Sequence, residues 1–306
     1  MGRVKAGLLV ALVVGLTAPG WGDAYISTAS IFELGVSARV AGLGGAFIAL
    51  ADDEAAAFYN PAGLPALSET RLSSQFTRPF GAFSYGTFGA AQPGWGGYFL
   101  LLDSDTLEER DLYGNPTGTF RYTSMGLVLG FGHQLSGGLS FGLQVKAYGL
   151  AFPTQGFGLS FSPCLLFQGG ARTYGIVWRN LLNWPIQYAD GHTEPWIFDV
   201  AVGIAWKLGT EAYAIDFTEN LITRGDISCV RMGCESRRFY PLVLRAGTNR
   251  EGTSFGFSIY WQDARLDFAY VLHYALPDTY LLSLNYSWQG SPLRLLSRVL
   301  HALVAP

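Results

Sequence analysis

The sequence predicts an all-β fold: a closed antiparallel transmembrane β-barrel of about 14 strands, with an N-terminal hatch or plug inside its lumen. Three observations carry this. The 306 residues are 14% charged and 15% aromatic with 39 glycines, where globular domains average about 25% charged. Past the N-terminus no run of roughly 18 apolar residues offers a membrane helix. From about residue 70 onward, apolar side chains recur with period two, as in a strand whose faces meet different surroundings. A chain this apolar that crosses lipid without helices must satisfy every backbone group by closing a sheet on itself.

At the N-terminus, Arg3 and Lys5 precede the apolar run Gly7 to Leu16, and Gly22-Asp23-Ala24 supplies the small residues a signal peptidase reads. Residues 1–24 are therefore expected to be a cleaved signal peptide that exports the chain to the outer membrane of a Gram-negative-type bacterium. Residues 25–70 carry no two-residue alternation and are rich in Gly and Ala, which suits a plug. The barrel is assigned to 71–289, with strands starting near residues 71, 83, 95, 120, 138, 156, 171, 195, 210, 226, 240, 252, 264 and 279.

The fifth strand shows the pattern plainly, with Leu139, Phe141, Leu143, Val145 and Ala147 on one face and Ser140, Gly142, Gln144, Lys146 and Tyr148 on the other. Apolar faces follow at Phe157 to Phe167, Phe198 to Trp206, Phe255 to Trp261, Leu266 to Leu272 and Tyr280 to Trp288, with aromatics at strand ends as interfacial girdles require. Connections alternate in length. Long ones follow the third and seventh strands, over 103–119 and 180–195, and tight ones follow the fourth, sixth and eighth, the parity of an outer-membrane barrel. The last residues, 290–306, project as a short amphipathic helix with Arg294, Arg298 and His301 on one side.

The same parity turns a set of mixed charges inward: Lys146, Arg179, Lys207, Arg231, Arg245 and Arg265 against Asp199, Asp216 and Asp267. Arg265 and Asp267 share a face two residues apart, so they pair readily. A net charge of −3 with no basic excess argues against nucleic acid as a partner. The three cysteines, Cys164, Cys229 and Cys234, form no CxxC, and the four histidines show no ligand spacing. On one strand Cys229 and Cys234 lie about 16 Å apart, beyond disulfide reach. No metal, cofactor or catalytic residue is expected, since GxSxG is absent and the GLGGA of Gly42 to Ala46 lacks the βαβ setting a phosphate loop needs.

One stretch remains, ADDEAAAFYNPAGLPAL at 51–67. Its carboxylates Asp52, Asp53 and Glu54 read as the cap of a short helix that Pro61 and Gly63 terminate.

The longer segment Gly35 to Leu67 closely resembles the N-terminal signature of PorV/PorQ-type outer-membrane proteins, within the FadL-like superfamily of long-chain fatty acid transporters. Arg39, Gly42, Gly44, Gly45, Ala46, Asp52, Asp53, Asn60, Pro61, Ala62, Gly63 and Leu64 match its pattern. Gly114 to Phe120, Val177 to Leu182, Leu244 to Gly247 and Leu266 to Tyr270 extend the likeness along the chain. The resemblance implies a fourteen-stranded barrel whose N-terminal segment folds inward as a hatch. It also implies a partner class: hydrophobic small molecules such as fatty acids or detergent, moved passively across the outer membrane. The alternative it implies is a role in type IX secretion, with cargo proteins or a translocon docking on the extracellular loops.

Overall fold

The computed structural model describes residues 31–81, 83–152, 154–220 and 229–288. The expected signal peptide and the amphipathic tail lie outside these residues. The strands are β1 (Thr70–Thr77), β2 (Phe83–Gln92), β3 (Trp95–Ser104), β4 (Leu107–Arg110), β5 (Pro116–Phe120) and β6 (Thr123–Gln134). Next come β7 (Leu139–Phe152), β8 (Gly156–Gly169), β9 (Arg172–Arg179), β10 (Leu182–Tyr188), β11 (Thr193–Glu194) and β12 (Asp199–Leu208). The last six are β13 (Glu211–Asn220), β14 (Cys229–Phe239), β15 (Leu242–Thr248), β16 (Gly252–Trp261), β17 (Ala264–His273) and β18 (Thr279–Trp288).

Apart from β4, β5, β10 and β11, these strands form one antiparallel ring of fourteen. It closes because β1 pairs with β18 and β8 pairs with β9. Closure removes every exposed sheet edge from the wall, the condition for burying a sheet in lipid. Local chemistry sets the tight turns. Between β2 and β3 the register reaches Gln92↔Trp95, and Gly94 takes the left-handed conformation (φ 88°) that the turn requires.

Outward side chains are the apolar set of the alternation. Phe88 is 61% exposed and Trp261 75%, and Phe99, Phe131, Leu244 and Leu284 are likewise exposed. A continuous apolar belt of this kind is stable only against lipid.

The structure adds detail to the strand starts, the two long connections and the plug boundary. The fourth, eighth and eleventh wall strands begin at Thr123, Asp199 and Leu242 instead of near 120, 195 and 240, so Phe198 precedes its strand. The long connection over 103–119 is not irregular: it holds the separate hairpin β4–β5. The connection over 180–195 holds β10, which pairs with the part of β8 beyond its β9 contact, and β11, which pairs with β10. Only the end of the assigned plug, Thr70, joins the wall.

Inside the ring lies the N-terminal segment. It forms two short helices, α1 (Ala38–Gly42) and α2 (Ala56–Tyr59), and a 3-10 turn over Pro61–Ala66. Ala and Gly dominate it because the lumen is narrow and the backbone must approach the wall closely. It lies against every one of the fourteen wall strands, from the Gly35 carbonyl bound by Gln75 of β1 and Tyr85 of β2 to the Ala38 amide bound by Ser283 of β18.

Candidate functional site

The segment fits where the wall lacks side chains. A Cβ on Gly175 would stand 2.5 Å from the Ile48 carbonyl oxygen, and Cβ atoms on Gly233 and Gly247 would overlap the backbone of Leu43. Real Cβ atoms do not tolerate such distances, so these glycines are the space in which the segment sits. On the segment itself, Gly44 and Gly45 adopt positive φ (66° and 83°), turning the chain directly after α1. Gly42 packs on Gly256, and Gly63 packs so closely on Ala51 that no larger residue fits.

Hydrogen bonds then fix the fit. Asp216 on β13, fully buried, accepts the amides of Phe47 (2.6 Å) and Ile48 (2.8 Å) through one carboxylate oxygen. Asn60 donates to the carbonyls of Ile48 (2.8 Å) and of Leu165 on β8 (3.2 Å), and its side-chain oxygen accepts the Ala62 amide. Pro61 starts the 3-10 turn, where its missing N–H leaves no bond unmade. Ala62 and Pro61 press on Gly142 and Gly132 of the wall.

The strongest tether is ionic. Arg39, 1% exposed, donates to Asp52 (2.7 Å), Asp53 (2.7 Å) and, across the lumen, Glu235 of β14 (2.8 Å). Arg265 of β17 reaches back to Glu54 (2.5 Å), Asp53 (3.3 Å) and its strand neighbour Asp267 (2.9 Å). Arg245 of β15 completes the cluster on Glu235 at 2.7 Å. At the rim, Lys207 meets Asp52 (2.9 Å), Arg237 meets Glu235 (2.9 Å) and Arg71 meets Glu54 (3.7 Å).

Within the buried part, Asp53, Glu54, Glu235 and Asp267 face Arg39, Arg245 and Arg265, one acid more than the cations. Burial pushes Glu54 up to about 7 against the pull of Arg265, and Asp53 beside it adds to the rise. For Asp53 burial is outweighed: Arg39 and then Arg265 hold it below the usual carboxylate range.

The helix-cap reading of the acidic run is therefore corrected. The residue before α2 is Ala55, and no side chain caps the helix. Asp53 does accept the Ala55 amide at 3.0 Å, but Asp52, Asp53 and Glu54 are directed chiefly at guanidinium groups.

The remaining wall charges lie higher in the lumen. Arg179 pairs with Asp199 at 3.2 Å, and Arg231 donates to Thr218 at 2.7 Å. Buried Lys146 sits over the rings of Phe32 (5.3 Å) and Phe58 (6.0 Å). The sequence reading missed Glu235. Its strand alternates poorly, yet Glu235 lies two pleats from the inward Arg231 and shares its face, and that parity is the signal that would have found it.

Two surfaces border the segment. Toward the tight-turn end, a cavity of about 500 Å³ is lined in part by the cluster residues Arg39, Asp52, Asp53, Glu54 and Arg265, with Glu69 and Asp263. Toward the long-loop end, the inner faces of β2, β3, β6, β7 and β10 are apolar and aromatic: Tyr85, Leu100, Leu102, Val128, Tyr148, Leu150 and Ile186 pack with Phe32 and Trp196 in one buried cluster. The buried ion cluster thus lies toward one end of the lumen, and the aromatic cluster shares the other end with Lys146, Arg179, Asp199 and Arg231.

No protein-family model matches the chain, and no curated protein matches it. Solved structures do. The toluene transporter TbuX of Ralstonia pickettii superposes with a TM-score of 0.59 at 12% identity, covering 83% of this chain and 98% of its own. The toluene transporter TodX of Pseudomonas putida gives 0.58 at 14% identity, covering 84% and 98%. At that identity the shared property is the fold.

Proposed function

We propose that the protein is an outer-membrane barrel that passively transports hydrophobic small molecules, with residues 31–67 as its hatch. The observation that carries this reading is the apolar inner surface facing the hatch at the long-loop end, where Phe32, Leu100, Tyr148, Leu150, Ile186 and Trp196 converge inside an otherwise polar ring. Water-filled barrels line their lumens with polar groups, and small-molecule sites are concave and mainly apolar with a few placed charges. The fold shared with two toluene transporters supports the same reading, as does the sequence resemblance to FadL-like proteins.

The hatch blocks a straight path, because its backbone fills the glycine-lined waist and is tied across it by Arg39 and Asp216. Transport on this reading needs the hatch to shift, and the ion-paired rim cavity is where it shifts toward. The test is uptake of a hydrophobic dye by cells whose outer membrane carries the protein. The expected result is faster uptake than in barrel-free cells, and faster again after replacement of Pro61 and Gly63, with the barrel still folded. Equal rates with and without the barrel, together with co-purification of exported proteins, would replace transport by a scaffold role in secretion.

A further inference from the structure

The cavity at the tight-turn end is chemically unlike a site for apolar solutes. Its volume of about 500 Å³ is that of a small-molecule site, yet most of the groups around it are charged or are neutral hydrogen-bonders. The hatch itself supplies the floor, from Leu50 to Glu54 with Ala66, and the wall strands supply the rim. Five acids and five bases line the cavity as a whole. Such a lining favours neither an anion nor a cation, but a ligand that carries one charge of each sign.

The two signs occupy opposite arcs of the rim. On β12 and β14, Lys207 and Arg237 are 54% and 48% exposed, and each is held from behind by one carboxylate, Asp52 and Glu235, at 2.9 Å. Both keep N–H donors beyond those bonds. Lys207, Ala212 of β13 and Glu235 share one row of the ladder, so no side chain larger than a methyl stands between the two cations. Across the mouth lie Asp263, in the turn between β16 and β17, and Glu69, just before β1. Asp263 is exposed, and among the described residues its carboxylate has no partner; Glu69 has Arg71 at 3.4 Å. β18 joins these two acids: the Ser287 amide donates to the Asp263 carbonyl at 2.7 Å, and Ser287 stands opposite Arg71. Neutral Gln168, Thr173, Gln262 and Asn285 complete the lining. Arg237 and Asp263 are three strands apart on the ring, about 14 Å at the backbone. Inward side chains shorten that gap to the length of two or three extended residues, at about 3.5 Å each.

We propose that this cavity binds a short zwitterionic peptide, its carboxylate between Lys207 and Arg237 and its ammonium at Asp263 and Glu69. The peptide groups between its ends then meet the neutral amide and hydroxyl side chains of the lining. The inference does not rest on the transport of apolar solutes. It does bear on the hatch: Lys207 already holds Asp52, so a peptide seated on this floor braces residues 50–54 from the tight-turn side.

The test titrates triglycine into the purified barrel and follows the heat of binding, beside two capped probes: acetyl-triglycine, which lacks the ammonium, and triglycinamide, which lacks the carboxylate. Heat-modifiable migration on gels verifies each barrel. Triglycine is expected to bind saturably and to slow amide exchange of residues 50–54, and each capped form to bind several-fold more weakly. Arg237→Gln is expected to weaken triglycine several-fold and leave triglycinamide unchanged. Asp263→Asn is expected to weaken both of these and leave acetyl-triglycine unchanged. Asp263 makes no ion pair among the described residues, so its variant keeps the inference testable if Arg237→Gln fails to fold. Absence of saturable triglycine binding to the wild type would overturn the proposal. Acetyl-triglycine binding as tightly as triglycine would mark a plain anion site and overturn it too, as would Asp263→Asn binding triglycine like the wild type.

Discussion

Arg39 is the residue on which the hatch depends most. Its buried guanidinium sits between two hatch carboxylates and Glu235 of the wall; Asp53 and Glu235 are buried and Asp52 is partly exposed. Replacing one partner of a buried ion pair costs about 3–5 kcal/mol, because the charge left behind stays buried and unpaired. Arg39→Ala is therefore expected to free residues 35–60 to exchange amide hydrogens and be cut by protease, while the barrel keeps its heat-modifiable migration. Unchanged exchange would refute the tether. Glu54 makes a second prediction. Its carboxyl is raised to about 7 in the packed hatch, so the packed state holds a proton that a released hatch gives up. That stabilisation is fully present below the ordinary carboxylate range and is lost as pH rises through about 7. Asp53, held low, contributes in the opposite sense, and its contribution fades only in strong acid. Amide protection of residues 50–60 should fall as pH rises from the ordinary carboxylate range through about 7, and Glu54→Gln should flatten the profile.

At the scale of elements, hatch and wall are complementary in what they lack. The wall strands omit side chains at Gly175, Gly233 and Gly247 where the backbone of Ile48 and Leu43 passes. Gly247→Val is expected to keep the ring, since valine favours strands, but to expel the Leu43–Gly44 turn. The measurement is hatch protease sensitivity, and a resistant hatch in a folded variant would show that the close approach is dispensable. Asp216→Asn can still offer one oxygen to both amides but without the charge that strengthens them; Asp216→Ala strands both, a loss of about 1–3 kcal/mol for each unsatisfied group. Hatch protection is expected to fall in the order wild type, asparagine, alanine.

For the whole molecule, the ring and its filling divide the energetics. Fourteen paired strands hold the wall by a closed ladder, whereas the hatch is held by side chains and by fit. Weakening the hatch should thus change permeability before it changes folding, which is why the dye-uptake variants are expected to separate from barrel assembly. The inner surface divides as well, with buried charges toward the tight turns and aromatics toward the long loops.

The ring is legible in the chain: its two-residue period, the parity of its connections and the face on which each charge lies follow from strand geometry alone, as in Lys146, Arg245 and Arg265. The chain also marked the hatch segment, by its missing alternation and by the run from Arg39 to Gly63. Only the tertiary structure decided which charges meet. Arg39 and Glu235 are 196 residues apart, and no local pattern sets the barrel register that brings them within 2.8 Å. The aromatic inner face was likewise hidden, because Tyr148 and Leu150 alternate with other apolar residues and parity loses its contrast where both faces are greasy.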